Sequence, residues 1–141
     1  MTTRIALVSC VKHKRSVPSP ARDLYQSSLF RGLRKYAEAN SDAWYILSAK
    51  YGVLQPDQVV EPYERTLNKM GKADQLKWAE FVQEQLDELI PPDAMVIILA
   101  GQRYREHLIP YLRSRRIEVV VPLEGLSFGK QLHRLKEMFP C

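Results

Sequence analysis

The stretch RIALVSCVKHKR, residues 4–15, sets the reading of this chain. Its first half holds an unbroken apolar run, Ile5–Ala6–Leu7–Val8, which suits a strand buried on both faces. Its second half turns abruptly polar and basic, with Lys12, His13, Lys14 and Arg15 in succession. A buried strand that empties into a cationic loop is a pattern of open α/β sheets, where ligands bind beyond the carboxyl ends of the strands.

Working outward, a proline-bearing loop runs from Cys10 to Pro20. Pro20 fits the first turn of a helix with Ser19 as its cap, and that helix is expected from about Ala21 to Ala39. Leu24, Phe30, Leu33 and Ala37 fall at helical spacing, flanked by Leu29 and Tyr36. Ala43–Leu47 reads as a second strand. The segment from Ser48 to Met70 has no clear period; with Gly52, Pro56 and Pro62 it reads as a long functional loop with short turns. A helix from about Ala73 to Leu89 follows, with Leu76, Ala79, Val82, Leu86 and Leu89 as its expected buried stripe, and Pro91 and Pro92 stop it. Ala94–Ala100 is the third strand. Gly101 turns the chain into a helix over about Tyr104 to Ser114, in which Pro110 is expected to make a kink or a break. Ile117–Val121 is the fourth strand, and a helix from Ser127 to Phe139 closes the chain. Apolar strands alternating with helices predict a parallel sheet covered on both faces, in one α/β domain over residues 1–141.

Composition agrees with a globular chain: 45% of the residues are hydrophobic and 26% charged. At this length a domain buries roughly 68–70% of its unfolded surface, enough for a core. No apolar run approaches the ~20 residues of a membrane span, and the basic cluster follows the first apolar run rather than preceding it, so no secretory leader is read and the cytoplasm is the expected compartment. The two cysteines, Cys10 and Cys141, make neither a disulfide framework nor a zinc site. Cys141 reads as a terminal residue, and Cys10, at a strand end, as a small buried side chain. The net charge of +5 favours phosphate-bearing partners. Basic clusters at residues 12–15, at Arg31, Arg34 and Lys35, and at Arg113, Arg115 and Arg116 stand apart from the acids of Glu80 to Glu88, which suggests a basic and an acidic face.

Each predicted strand ends in an unusual polar segment: SCVKHKR, SAKYG, AGQRY and PLEGLS. The expected sheet gathers all four at one edge. Lys12, Lys14 and Arg15 in the first, Lys50 in the second, Arg103 in the third and Lys130 beyond the fourth are the candidate contacts to phosphate. Tyr51 is placed to stack on a base. Gly101 and Gln102, at a helix N-terminus, suit an anion or a carbonyl. Glu124 and Ser127 follow the fourth strand. Hydrolysis of a glycosidic bond needs a carboxylate to orient water and to face positive charge on the sugar. The long loop supplies Asp57, Glu61, Tyr63 and Glu64, and Asp23, Asp57, Glu61 and Glu124 are the candidate carboxylates. There is no GxxxxGK[ST] and no GxGxxG, so neither a Walker-type nor a dinucleotide site is read. His107 and His133 lie singly inside helices, and nothing has metal-ligand spacing.

SCVKHKR, PARDLYQSSLF (20–30) and WYILSAKYGVLQPDQVVEPYERTL (44–67) together resemble a small bacterial and phage family known as a domain of unknown function. That family is similar, at a distance, to the YaaA-like peroxide-stress DNA-binding proteins and to the archaeosine-synthase catalytic domain, and through them to the uracil-DNA-glycosylase fold. The resemblance implies a three-layer αβα fold with a four-stranded parallel sheet of order 2-1-3-4, a pocket at the strand ends, and a nucleobase or modified nucleoside as ligand. It carries over Cys10, Lys12, Tyr25, Ser27, Ser48, Lys50, Tyr51 and Tyr63 as motif positions. The chain departs from uracil-DNA glycosylases in lacking GQDPYH after the first strand and HPSP after the fourth, so their aspartate and histidine have no counterpart. A different carboxylate, with Asp57 and Glu61 foremost, is then expected to act. The function expected is removal of a modified base from DNA, in the manner of phage-defence glycosylases, by a monomer without metal or organic cofactor. A non-catalytic DNA or RNA binder and an enzyme on free nucleosides or nucleotides are the alternatives.

Overall fold

The computed structural model describes residues 3–10, 14–64 and 67–138, with the backbone alone at positions 68 and 128. In chain order the elements are β1 (Arg4–Ser9), β2 (Ser19–Pro20), α1 (Ala21–Leu24), α2 (Ser28–Asn40), β3 (Ala43–Ser48), β4 (Gly52–Leu54) and β5 (Val59–Val60). A single 3₁₀ turn at Leu67–Lys69 leads to α3 (Lys72–Leu89), β6 (Met95–Leu99), α4 (Gln102–Ser114), β7 (Glu118–Val120) and α5 (Phe128–Met138).

The central sheet has the order β4-β3-β1-β6-β7. β1 pairs in parallel with β3 on one side and β6 on the other, and β7 pairs in parallel with β6. The sheet therefore has five strands where four were expected. The additional strand, β4, is antiparallel to β3, and Gly52 in the left-handed region makes the reversal. It lies in the segment read as a loop, because three residues are too few to show alternation. β2 and β5 form a separate antiparallel pair that ties residue 19 to residue 60.

β1 explains how one apolar run serves two cores. Ile5 and Leu7 join one buried cluster with α3 and α4, through Val82, Leu86, Leu108 and Leu112. Ala6 and Val8 join the other, with α2 and Leu135 of α5, through Phe30, Leu33 and Ala37. Successive strand residues point to opposite faces, so a strand between two helical layers must be apolar throughout.

Three expectations for the helices need correction. The single helix over 21–39 is two helices with an extended break at Tyr25, and Ser19 is not a cap. Ser27 caps α2 instead, its hydroxyl accepting from the Phe30 N–H at 2.9 Å, while the Ser19 hydroxyl donates to the Val17 carbonyl. The break lets Tyr25 turn inward and become almost fully buried. In α3, Leu76 is exposed and the buried stripe runs through Gln75, Trp78, Ala79, Val82 and Leu86. Trp78 supplies the large apolar surface that the sequence reading had assigned to leucine. α4 continues without a break through Pro110, which lies on its exposed side.

Candidate functional site

The carboxyl ends of β1, β3 and β6 converge, and the side chains that follow them make one hydrogen-bonded cluster. β3 ends on Ser48, which is wholly buried. Its hydroxyl accepts from the Tyr51 and Lys50 N–H groups at 3.0 and 3.2 Å, a side-chain turn that sets the reversal into β4. The same hydroxyl donates to the Tyr63 hydroxyl at 2.7 Å, and Tyr63 in turn lies 2.7 Å from the Tyr25 hydroxyl. The Ser48 carbonyl accepts from the Trp78 indole N–H at 2.9 Å. Beyond β1, Cys10 touches both cores, and its sulfur lies 3.2 Å from the hydroxyl of Tyr104 in the first turn of α4. Trp78 meets Tyr104 edge to face, closing the cluster.

Ser48, Tyr63 and Tyr25 bring three hydroxyl protons, and the two bonds among them use two. Tyr25 also interacts with the Ser48 hydroxyl, so the three hydroxyls close on one another. Burial, and after it the nearby Cys10 thiol, pushes the phenols of Tyr25, Tyr63 and Tyr104 above their ordinary range. They are therefore neutral donors at physiological pH.

Lys14 lies over this cluster. Its backbone bridges to Tyr25, and its ammonium nitrogen is 4.4 Å from the Tyr63 ring centre and 5.7 Å from that of Tyr25. Loss of hydration lowers its pKa from the ordinary value, against the opposing pull of Cys10 and Glu64. Tyr51 stands edge-on to Tyr63, with the Lys50 ammonium 5.2 Å from its ring. Next to this wall opens a cleft of about 560 Å³. Lys50, Lys69 and Lys77 carry its positive charge, Glu64 and Asp74 its negative charge, and Trp78 and Phe81 its apolar surface. The N-terminus of α3 enters it at Gly71, with no side chain capping the helix. Exposed backbone N–H groups and lysines together make a surface for anions.

Residues 5–137 match the family described as a family of unknown function, DUF6884. The chain belongs to the DUF6884 family. It is 29% identical over 116 residues to the uncharacterized protein YfjM of Bacillus subtilis, covering 74% of each chain. It is 32% identical over 87 residues to the UPF0246 protein LBA1843 of Lactobacillus acidophilus, covering 60% of this chain and 34% of that one. Among solved structures it is similar to the crystal structure of AF0587, a protein of unknown function, with a TM-score of 0.54 at 18% identity, over all of this chain and 46% of that one. The chain thus spans about a third of one curated relative and under half of the structural one.

The DUF6884 chain brings together Cys10, Lys14, Tyr25, Ser48, Lys50, Tyr51 and Tyr63 from the residues singled out in the sequence. Lys12 lies outside the described residues. Ser27 has a structural post as the α2 cap. Arg15 is exposed, its N–H bonded to the Leu24 carbonyl. Gly101, Gln102 and Arg103 share a small groove with Tyr104, and Arg103 pairs with Glu106 at 3.2 Å. Glu124 is exposed on a turn completed by Gly125, and Lys130 is exposed on α5. Glu61 is exposed and offers the cluster only its carbonyl, to the Tyr51 hydroxyl. Asp57 lies elsewhere, in a groove beside Ala43 and Trp44 at the amino end of β3, with Arg22 and Arg34. Asp23 is tied to the same Arg34. His107 is bonded to Gln75, and His133 to Glu137 on the surface. No group of three or more metal-ligating side chains occurs among the described residues, and no helix there is long and apolar enough to cross a membrane.

The sequence reading missed Tyr104, Trp78, Lys69, Lys77 and Asp74. Trp78 carries a signal, since it falls at helical spacing with Val82 and Leu86; the lysines carry none, because only folding brings α3 beside SAKYG.

Proposed function

We propose that this protein binds nucleic acid along its carboxyl edge and cleaves the N-glycosidic bond of a modified base held there. The observation that carries the reading is the adjacency of two unlike surfaces. One is an aromatic wall that the half-buried Tyr51 presents, backed edge-on by the buried Tyr63 of the hydroxyl cluster. The other is a lysine-lined cleft. A nucleotide has the same two halves: a flat base with polar edges, and a phosphate. The target nucleotide leaves the stack, at a cost of a few kcal/mol, and its base meets the wall. The Tyr51 ring stacks on the extruded base, and Lys50, Lys69 and Lys77 follow the phosphates.

For the carboxylate, the geometry favours Glu64 over Asp57 and Glu61. Glu64 lines the cleft and acts on the charge of Lys14, whereas Asp57 lies at the opposite end of β3. Its role is to face the positive charge that develops on the sugar. The test is release of free base and formation of abasic sites from DNAs carrying different modified bases. Activity on one such DNA, lost in Glu64→Gln and kept in Asp57→Asn, supports the reading; a panel without abasic sites overturns it. Glu64 is exposed, and this observation favours a second reading, a nucleic-acid binder without bond cleavage. Salt-dependent binding with no abasic product identifies that case.

A further inference from the structure

We propose that the nucleic acid taken by this site is single-stranded, with one base stacked on the exposed ring of Phe81 next to the base held at Tyr51; the inference rests on the nucleic-acid reading above. Phe81 is the decisive residue. It lines the lysine cleft, and 47% of it is exposed. Trp78, on the same helix and in the same cleft, is almost wholly buried, and its indole N–H is bonded to the Ser48 carbonyl at 2.9 Å, so it serves the core. Phe81 has no polar atom to offer a ligand, only an apolar face. The ring is nevertheless held in place. It packs against Gly52 so closely that a Cβ there would stand 2.7 Å from it. Gln85 fastens α3 to the same strand, its side-chain amide accepting from the Val53 N–H at 2.8 Å and donating to the Val53 carbonyl at 3.4 Å. A ring already positioned loses little freedom when a base lands on it.

Each of the two rings has a lysine beside it. Lys77 precedes Phe81 by one helical turn, the spacing that makes side chains neighbours, and both line the cleft. The Lys50 ammonium is 5.2 Å from the Tyr51 ring centre. Lys50 is exposed, so its long side chain can yield the ring to a base and follow the adjoining phosphate. The two pairs flank one turn, because Gly52 follows Tyr51 in the chain and meets Phe81 in space. They suit neighbouring nucleotides of an open strand, base to ring and phosphate to lysine. A duplex cannot use the rings. Its base faces are covered by stacked neighbours, and it offers this surface only its phosphates. Charge alone holds those weakly, because Glu64 and Asp74 share the cleft with Lys50, Lys69 and Lys77. Stacking is the contribution that an open strand adds and a duplex lacks. An open strand also lowers the cost of presenting the target base, since no pairing has to be broken.

The test uses the full chain and a labelled mixed-sequence DNA strand of roughly 16 nucleotides, the upper end of single-strand site sizes, either free or annealed to its complement. Fluorescence anisotropy at one fixed salt concentration reads both affinities. The expected result is a single strand bound about tenfold tighter than the duplex or more. Its binding weakens about tenfold in Phe81→Ala and in Phe81→Leu, and is kept in Phe81→Trp and in Lys35→Ala on α2, while duplex binding is the same in all. Leucine keeps an apolar contact with Gly52 and loses the π-face, so it separates stacking from packing; circular dichroism checks that each variant is folded. A duplex bound as tightly as the single strand overturns the proposal, as does failure of both to bind. So does a single strand held by folded Phe81→Leu as tightly as by the unchanged protein. Base release from a modified duplex, without preference for the single strand, overturns this inference and leaves the glycosidic reading standing. Preference for the single strand, lost in Phe81→Leu, with no base release from any modified DNA sinks the glycosidic reading and leaves a single-strand binder.

Discussion

Tyr63 shows how much one hydroxyl holds. It accepts from Ser48, pairs with Tyr25, and sits under the Lys14 amine, all within a nearly closed environment. In Tyr63→Phe the Ser48 and Tyr25 hydroxyls lose their shared partner. Leaving buried polar groups unpaired costs about 1–3 kcal/mol, so urea denaturation is expected to show a loss of that size. Tyr25→Phe leaves the Ser48–Tyr63 bond in place and is expected to cost less. The tyrosines also set an alkaline limit. In the unfolded chain phenols ionise near pH 10. In the folded protein, burial holds Tyr25, Tyr63 and Tyr104 protonated above that point. Above pH 10 the folded state therefore binds more protons than the unfolded one. The contribution of these phenols to stability is complete below pH 10 and is lost as pH rises further. Tyrosinate absorbance is expected to rise for these three residues together with unfolding; ionisation of all three near pH 10 in a folded protein would refute this account.

The elements around the cluster are short, and their boundaries rest on single side chains. α2 starts where it does because Ser27 supplies the cap. Ser27→Ala is expected to lower stability by about 1 kcal/mol, read as a shift in the urea midpoint without a change in slope. The turn from β3 to β4 depends on Gly52, at φ +74°. A Cβ there would lie 2.4 Å from the Gln85 side-chain oxygen and 2.7 Å from the Phe81 ring. That oxygen also accepts from the Val53 N–H at 2.8 Å and so fastens α3 to β4. Gly52→Ala therefore combines left-handed strain of about 1–2 kcal/mol with the displacement of this clasp. Thermal denaturation is expected to show a larger loss than for Ser27→Ala, and an equal or smaller loss would mean that the turn relaxes freely. The split of the expected 21–39 helix has the same local origin. Pro20 and the apolar spacing argued for one helix, yet Ser27 is a cap and Tyr25 gains more by burial in the cluster than by continuing a helical turn.

At the scale of the molecule, charge decides what the carboxyl edge can hold. Lys50, Lys69 and Lys77 come from three separate parts of the chain to line one cleft. If nucleic-acid phosphates bind there, replacing the three by alanine flattens the dependence of log affinity on log salt by about 0.7–0.9 per lost contact. Fluorescence anisotropy across a salt series measures it, and an unchanged slope would place the phosphates elsewhere. The acids from Glu80 to Glu88 do lie on α3, but the basic clusters are dispersed. Arg31 and Lys35 flank a groove against α5, and Arg115 binds carbonyls at the end of α3. The sequence by itself determined the alternation of helices and apolar strands, the parallel core of the sheet, and the gathering of Cys10, Lys14 and SAKYG at its carboxyl edge. Those features follow from hydrophobic period and chain connectivity, which are local and legible. Only the tertiary structure decided which side chains at that edge meet. It removed Asp57 to the far end of β3, brought Trp78 and two lysines of distant segments beside Lys50, and joined Tyr25, Ser48 and Tyr63 through their hydroxyls. Hydrogen bonds and desolvation act over a few ångströms in space, and no spacing along the chain encodes that distance.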